Sequence, residues 1–355
     1  GWADGAYNVT VVATDLAGNT RTVVLRYTFD TSPPSITLLS PSNNSFVRAG
    51  TVLDLLITDL TALTVTYDYG GGPNALLSPF DINTTGWGDA ATDVAILATD
   101  AVGNARTRVF HFTLDSTVPA ISLLTPTNNS VIRPGVAVNL SISDTNLNTA
   151  TWDNGGGATG FATQWSIPTT GWSDGAFNVT VDATDLAGNV RSRIFRFTID
   201  SILPAITLNA PTNNSYVPAG TVLNLSISDI NLATATWDDG TGAQTFAAQW
   251  NISTTGWGDG PINISVYAVD AAGNSRTRIF HFTIDSTVPS LSLLSPTNNS
   301  YLVAGVLINF SLSDTNLNTA TWDNGGGAQS FATQWNVSTS GWADGSYNIT
   351  VSVTD

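Results

Sequence analysis

The stretch GWSDGAFNVTVDATDLAGNVRSRIFRFTID, residues 171–200, decides the fold. Apolar and polar residues alternate over 177–184 and again over 191–199, and a period of two is that of a β-strand with one buried face. The segment DLAGN at 185–189 lies between them and is rich in residues that form tight turns. The stretch therefore predicts an antiparallel hairpin.

The alternation also assigns side chains to the two faces of this hairpin. The residues assigned to the core are Phe177, Val179, Val181 and Ala183 on the first strand and Ile194, Phe195 and Phe197 on the second. Arg191 and Arg193 are assigned to the outward positions that alternate with these core residues.

The residues before this hairpin complete one domain. Residues 136–143 alternate, with Val136, Val138, Leu140 and Ile142 predicted on a core face, and a third short strand carries Trp152. About seven short strands separated by turn signals are the pattern of an immunoglobulin-like (Ig-like) sandwich, in which a tryptophan lies on the third strand. The chain has no cysteine, so each core depends on packing alone.

The same unit is repeated in register. The motif Gly-Trp-x-Asp returns at a spacing of 85 residues, with its tryptophan at Trp2, Trp87, Trp172, Trp257 and Trp342. We therefore predict an all-β tandem array of Ig-like β-sandwich domains. The predicted pieces are 1–30, the C-terminal part of one domain; 31–115, 116–200 and 201–285, complete domains; and 286–355, a domain lacking its last strand.

Composition excludes several classes of protein. The formal net charge is −16, from 27 acids that are all aspartate and 11 bases that are all arginine. An acidic chain is a poor match for nucleic acid, so we expect no such partner. No apolar run reaches the ~18 residues that span a bilayer. The chain contains no methionine, so we expect it to be a processed product or a part of a longer protein, with any membrane anchor outside it.

The motifs identify a family. Residues 7–19 (YNVTVVATDLAGN), together with 197–200 (FTID) before Pro204, resemble the tandem bacterial Ig-like domains of giant surface adhesins. Residues 123–130 (LLTPTNNS) are similar to Ig-like repeats in archaeal surface proteins. The resemblance implies an extracellular, cell-surface location and junctions that are often made rigid by Ca²⁺.

Three aspartates are predicted to meet at each domain junction, because the loop after the second strand and the last hairpin turn lie beside the final residue of the preceding domain. Clusters of short carboxylates suit Ca²⁺, although aspartate at a strand end also forms turns by bonding its own backbone. The predicted metal ligands are Asp30, Asp59 and Asp100; Asp115, Asp144 and Asp185; Asp200, Asp229 and Asp270; and Asp285, Asp314 and Asp355.

Asparagine-linked glycosylation is a second candidate modification of the array. Fourteen Asn-x-Ser/Thr sequons occur, at Asn8, Asn43, Asn83, Asn128, Asn139, Asn178, Asn213, Asn224, Asn251, Asn263, Asn298, Asn309, Asn336 and Asn348. Those on outward strand positions or in turns can carry a bulky glycan. The alternative is that these asparagines are only solvated surface residues.

We expect no catalytic residues. The histidines, His111 and His281, occupy positions that are Arg26 and Arg196 in other repeats, and no nucleophile with an adjacent base stands out. The sequence therefore favours a structural extracellular rod or stalk on a microbial cell surface.

Two alternatives stay open. The chain could be a subunit of an extracellular filament, in which residues 20–30 of one copy complete the 286–355 domain of another by strand donation. It could instead be an adhesin module that binds carbohydrate or another cell, because exposed aromatic side chains such as Trp165, Trp250 and Trp335 can stack on sugars.

Overall fold

The computed structural model describes residues 1–162, 164–247, 249–332 and 334–355. Over these ranges the regular structure is entirely strand, which confirms the all-β, tandem Ig-like prediction. The chain divides into two compact units, residues 1–200 and 201–355. No helix that could cross a membrane is found in the described part of the chain.

The first unit opens with a hairpin and continues with a complete sandwich. The hairpin strands are β1 (Gly5–Thr14) and β2 (Thr20–Phe29). The eight strands that follow are β3 (Ser35–Ser40), β4 (Ser45–Val47), β5 (Val52–Thr58), β6 (Thr64–Asp68), β7 (Asn74–Leu76), β8 (Ile82–Asn83), β9 (Ala90–Thr99) and β10 (Ala105–Leu114). They form a three-stranded sheet, β3-β5-β8, and a five-stranded sheet, β4-β10-β9-β6-β7.

The second sandwich of this unit repeats that arrangement. Its strands are β11 (Ala120–Thr125), β12 (Ser130–Ile132), β13 (Val138–Ser143), β14 (Leu147–Asp153), β15 (Thr159–Gly160), β16 (Ser166–Ile167), β17 (Gly175–Asp185) and β18 (Val190–Ile199). The predicted hairpin is β17 and β18, paired antiparallel from Gly175↔Ile199 to Thr184↔Val190. The short strand β12 runs parallel to β18 and closes one edge of the sheet.

The second unit contains one complete set of strands and one shorter set. The complete set is β19 (Ala205–Ala210), β20 (Ser215–Val217), β21 (Val222–Ser228), β22 (Leu232–Asp238), β23 (Gln244–Thr245), β24 (Asn251–Ser253), β25 (Gly260–Asp270) and β26 (Ser275–Ile284). The shorter set is β27 (Ser290–Ser295), β28 (Leu307–Ser313), β29 (Thr319–Asp323), β30 (Gln329–Ser330), β31 (Asn336–Ser338) and β32 (Thr350–Thr354).

One repeated motif ties the early part of each complete sandwich to its last strand. The first asparagine of the Asn-Asn-Ser triplet accepts a hydrogen bond from a backbone N–H of that strand: Asn43 from His111, Asn128 from Arg196 and Asn213 from His281, each at 2.7 Å. The second asparagine has a positive φ, 66° at Asn129, a conformation that asparagine tolerates better than most residues. The triplet therefore holds the start of the short parallel strand that follows it against the last strand of the sandwich.

The core of the 116–200 sandwich follows most of the predicted face. Val179, Val181 and Ala183 are fully buried, and Phe197 is 2% exposed. Ile194, however, is 51% exposed. Its assignment to the core was wrong because strict alternation places it on the side opposite Phe195 and Phe197.

The arginine assignment fails for the same reason. Arg191 and Arg193 share the parity of Phe197 and pair across the strands with the buried Ala183 and Val181, so they lie on the inner side of the sheet, along the part of β18 that β12 does not pair with. Val136 also differs from its prediction: it is exposed and precedes β13.

Candidate functional site at the domain junctions

The aspartate of the Gly-Trp-x-Asp motif holds the start of the next repeat. The Ser116 N–H donates to Asp89 Oδ1 and the Thr117 hydroxyl donates to Asp89 Oδ2, both at 2.8 Å. These hydrogen bonds, that of the Thr117 hydroxyl above all, keep the pKa of Asp89 below its ordinary value. The aspartate therefore acts as a clamp across the junction.

The same clamp occurs at two other junctions. Asp4 accepts from the Thr31 N–H at 2.9 Å and from the Ser32 hydroxyl at 2.6 Å. Asp259 accepts from the Ser286 N–H at 2.8 Å and from the Thr287 hydroxyl at 2.6 Å. The pKa of each carboxyl is lowered, by the Ser32 hydroxyl first for Asp4 and by the Thr287 hydroxyl first for Asp259.

This clamp was not predicted from the sequence, because the aspartate and its partners are 27 and 28 residues apart in the chain. The available signal was a pair of hydroxyl residues that follows three of the motif aspartates, Asp4, Asp89 and Asp259, by 27 and 28 residues.

The predicted acidic clusters form within each unit. In the sets Asp30, Asp59 and Asp100; Asp115, Asp144 and Asp185; and Asp285, Asp314 and Asp355, one carboxylate oxygen of each residue lies within 4.8 Å of the others. Asp200 is buried at the end of the first unit. In the second unit Asp270 is buried and receives both an N–H and an amide hydrogen bond from Asn274, while Asp229 accepts the Asn231 N–H.

The cluster of Asp115, Asp144 and Asp185 shows how the carboxylates are oriented. Asn189 donates its backbone N–H to Asp185 Oδ1 at 2.8 Å and its side-chain amide to Asp185 Oδ2 at 2.7 Å. The same amide donates to the Asp115 backbone carbonyl at 2.8 Å, which joins the two domains. Asn146 donates to Asp115 Oδ2 at 2.7 Å. Neutral amides thus fix the geometry of the cluster without cancelling its charge.

The first cluster has the same geometry with threonine in place of Asn146. The Thr61 hydroxyl donates to Asp30 Oδ2 at 3.0 Å and to Asp59 Oδ1 at 3.1 Å. Burial raises the pKa of Asp30, and the neighbouring Asp59 raises it further. Burial also opposes ionisation of Asp100, but hydrogen bonds from Asn104 and Val102 outweigh it and its pKa is lowered.

These residues fit a calcium ion. Calcium binds oxygen at 2.3–2.6 Å, so ligands on opposite sides of the ion are about 5 Å apart. Three carboxylate oxygens within 4.8 Å of one another can therefore all reach one ion. In the described part of the chain, no arginine forms an ion pair with an aspartate of these clusters. The hydrogen-bond donors around the three carboxylates are therefore uncharged.

The sequon asparagines divide into two groups by exposure. The exposed ones are Asn8, Asn43, Asn83, Asn128, Asn178, Asn213, Asn224, Asn263, Asn298 and Asn348, and the half-buried ones are Asn139, Asn251, Asn309 and Asn336. The half-buried group lies on strands, and its side chains pack between neighbours. Asn139, for example, donates its amide to Thr125 Oγ1 at 3.1 Å and accepts the Ser166 hydroxyl at 2.9 Å.

The aromatic residues mainly pack. Trp152 and Trp172 contact the core, with ring centroids 6.2 Å apart, and Trp237 and Trp257 repeat this at 6.3 Å. Trp165 packs edge-on against Phe161 at 5.3 Å. Repetition of these contacts is what a structural role for each domain requires.

The two histidines lie on exposed strand positions. His111 Nδ1 is 2.6 Å from Asp93 Oδ1. His281 Nδ1 is 2.5 Å from the Asn263 side-chain oxygen. The two equivalent histidines thus have chemically different partners.

Comparison with known proteins identifies the repeat. Residues 125–201 match the bacterial Ig-like domain family. The matched residues cover most of one copy of the 85-residue repeat, and the repeat recurs along the chain, so the recognition of bacterial Ig-like domains in tandem is confirmed. No curated protein matches the chain.

Solved structures with a similar fold are also tandem domains. The fibronectin(III)-like modules of Clostridium thermocellum CbhA are 17% identical, cover 46% of this chain and 94% of their own, and give a TM-score of 0.32. Three titin Ig domains are 10% identical, cover 72% of this chain and all of their own, and give a TM-score of 0.43. A tetra-tandem repeat from the extending region of a large adhesion protein is 19% identical, with 80% and 82% coverage and a TM-score of 0.32.

Proposed function

We propose that this chain is a structural stalk of tandem Ig-like domains on a microbial cell surface. The observation that supports this is the set of hydrogen bonds across junctions, in which Asp89 holds Ser116 and Asn189 holds the Asp115 carbonyl. Such bonds limit bending between neighbouring domains. A bacterial Ig-like match at residues 125–201 supports the extracellular location.

We further propose Ca²⁺ at the junction clusters. Three carboxylates within 4.8 Å repel one another, and their asparagine and threonine donors carry no charge. A bound divalent cation would remove this repulsion and couple the last residue of one domain to two turns of the next. Bound Ca²⁺ would therefore add stiffness where the domains join.

Calorimetric titration with Ca²⁺ tests the ion. We expect several ions to bind per chain and Asp144→Asn to remove one of them. Asp182→Asn, a matched loss of one charge on β17 outside the clusters, should leave the number unchanged. Equal binding by both variants, or no binding at millimolar Ca²⁺, contradicts the proposal.

Solution scattering tests the stalk. A single globule of 355 residues would have a radius of gyration of about 20 Å, and a stalk should exceed this clearly and shorten or bend when a chelator is added. A compact particle would contradict the proposal. Electron microscopy of the same sample separates the alternatives, because strand donation would give filaments whose length grows with concentration.

A further inference from the structure

The arginines are concentrated on one strand of each repeat. Nine of the 11 arginines lie on the final strands: Arg21 and Arg26 on β2, Arg106 and Arg108 on β10, Arg191, Arg193 and Arg196 on β18, and Arg276 and Arg278 on β26. Arg48 and Arg133 lie elsewhere. In a chain with 27 aspartates and no lysine, this placement gives each repeat a cationic site of its own.

Each complete sandwich carries one arginine pair at the same register. Arg106 and Arg108, like Arg191 and Arg193 or Arg276 and Arg278, are two residues apart, so they point to the same side of the strand about 7 Å apart. Arg106 and Arg108 pair across the strands with Ala98 and Ile96, both fully buried.

The pairs are therefore on the inner side of the sheet, at its open edge. From there their apolar stems can cover the edge of the core while most guanidinium groups reach water.

These guanidinium groups have no acidic partner. Among the described residues the one ion pair is between His111 and Asp93. The neighbouring first strands, β3, β11 and β19, carry no charged residue. Arg191 donates its Nε to the Pro119 carbonyl at 3.2 Å, which uses one of its five donors. The cationic sites are thus available to an external anion.

A groove accompanies the pair in the second unit. Arg278 lines a cavity of about 360 Å³ between β19 and β26, together with polar side chains of Asn209, Thr212 and Asn213. Amides and hydroxyls beside a guanidinium can bond sugar hydroxyls and an attached acid group at once. The residues between the paired arginines, Thr107, Ser192 and Thr277, add further hydroxyls.

We infer that the arginine pairs bind an anionic polysaccharide, carboxylated or sulfated, with one contact site per repeat. The planar guanidinium matches carboxylate and sulfate groups, which it binds with two parallel hydrogen bonds. A polymer with repeating acid groups can occupy several equivalent sites at once, so weak contacts add up to useful affinity. This inference rests on the extracellular location in the proposed function.

Nucleic acid fits these sites less well. Single strands are held by aromatic side chains on which bases stack. The residues next to the arginine pairs on β10, β18 and β26 are Ala, Ser, Thr, Val and Ile, and the phenylalanines that follow are buried or half-buried. The arginines also hinder pairing of the open edge with another strand. If the arginines only protect this edge, replacing them should cause the chain to self-associate without changing polysaccharide binding. The experiment below measures the two effects separately.

The test compares three forms of the chain for binding to polygalacturonate and heparin, with neutral dextran as the uncharged polymer. One variant replaces Arg106, Arg108, Arg191, Arg193, Arg276 and Arg278 with Gln. The matched control carries Arg48→Gln and Arg133→Gln. We expect the six-fold variant to bind about tenfold more weakly or worse at low salt, since several contacts act together, and the control to stay within about twofold.

Several results would overturn the inference. They are equal binding by all three forms, equal losses in variant and control, binding of dextran as tight as that of the acids, or preference for single-stranded DNA. Self-association of the variant with unchanged polysaccharide binding would assign the arginines to edge protection alone. Circular dichroism verifies folding, and Arg→Lys at the same six sites provides a second variant that keeps the charge and should retain part of the binding.

The stalk and the polysaccharide site can fail separately. Solution scattering of the free chain tests the stalk without any polysaccharide, and the binding comparison does not depend on Ca²⁺ or on the shape of the particle.

Discussion

At the scale of the residue, aspartate performs two structural tasks because its carboxylate is held close to the backbone. In turns it bonds its own chain: Asp15 accepts N–H groups from Ala17 and Asn19, each at 2.9 Å. At junctions it bonds another repeat, as Asp89 does with Ser116. A glutamate, with one more methylene, would lose more side-chain entropy in either position.

Replacing the clamp aspartate should loosen one junction. We expect Asp89→Ala to lower the free energy of unfolding by about 1 kcal/mol, since two hydrogen bonds to a charged acceptor are lost at an exposed site, and to speed proteolysis at residues 115–118. Asp93→Ala is the control and should cost about 0.5 kcal/mol or less, because its ion pair with His111 is exposed. Equal proteolysis of the two variants would show that the clamp does not restrain the junction.

The clamp also predicts how stability depends on pH. Hydrogen bonds, those of the Thr117 and Thr287 hydroxyls first, lower the pKa of Asp89 and Asp259 in the folded state. A lowered folded pKa adds stability that is fully present above the unfolded value of about 3.9 and is lost as the pH falls through the folded value. Denaturation measured between pH 2 and 6 should show this loss, and Asp89→Asn should make the curve flatter. A steeper curve in the variant would contradict the assignment.

At the scale of the element, the final strand of each sandwich has two different ends. The second half of β18 is covered: Phe197 is buried and pairs with Phe177 and Ser130. The first half carries Arg191 and Arg193 on the same side, along the edge that β12 does not pair with. One strand thus provides both a core and a cationic edge.

Two substitutions on β18 should separate its faces. Phe197→Ala should destabilise the 116–200 domain by about 3–5 kcal/mol, because it leaves a cavity in the core. Ile194→Ala, on the opposite face, should change stability by about 0.5 kcal/mol or less. Hydrogen exchange of the β17 and β18 amides measures both effects, and a larger effect at Ile194 would reverse the face assignment.

Local pattern predicted the hairpins, and topology predicted which aspartates meet, because both depend on regular strand geometry. The Ile194 error arose where two adjacent apolar residues, Ile194 and Phe195, obscured the alternation. The clamp was missed because Asp89 and Ser116 are 27 residues apart, and nothing local in the sequence joins them. The open edge along the first half of β18 depends on where β12 pairs, a contact between distant parts of the chain that local pattern does not specify.

At the scale of the whole molecule, the 85-residue period carries contacts as well as strands. Each junction described within a unit uses the same positions: a motif aspartate, a pair of hydroxyl residues and the donors around an acidic cluster. The repeats within each unit are therefore joined by the same set of hydrogen bonds, and not by different contacts at each junction.

Removing one whole repeat should leave a folded chain. In a chain lacking residues 31–115, Asp4 would face Ser116 and Thr117 in place of Thr31 and Ser32, so both donors of the clamp are kept. We expect unchanged melting behaviour for the remaining domains and a circular dichroism spectrum of the same shape per residue. Deleting 51–135, the same length but out of phase with the domains, is the control and should misfold. Equal behaviour of the two deletions would contradict the common junction.

The identical spacing of the clamp also bears on how such a gene can change. Recombination between two copies of the repeat removes or adds multiples of 85 codons, and each product whose new seam falls before Thr31, Ser116 or Ser286 presents an aspartate to a hydroxyl pair. The reach of the protein can thus vary between generations in fixed steps, without any further mutation to repair the joint.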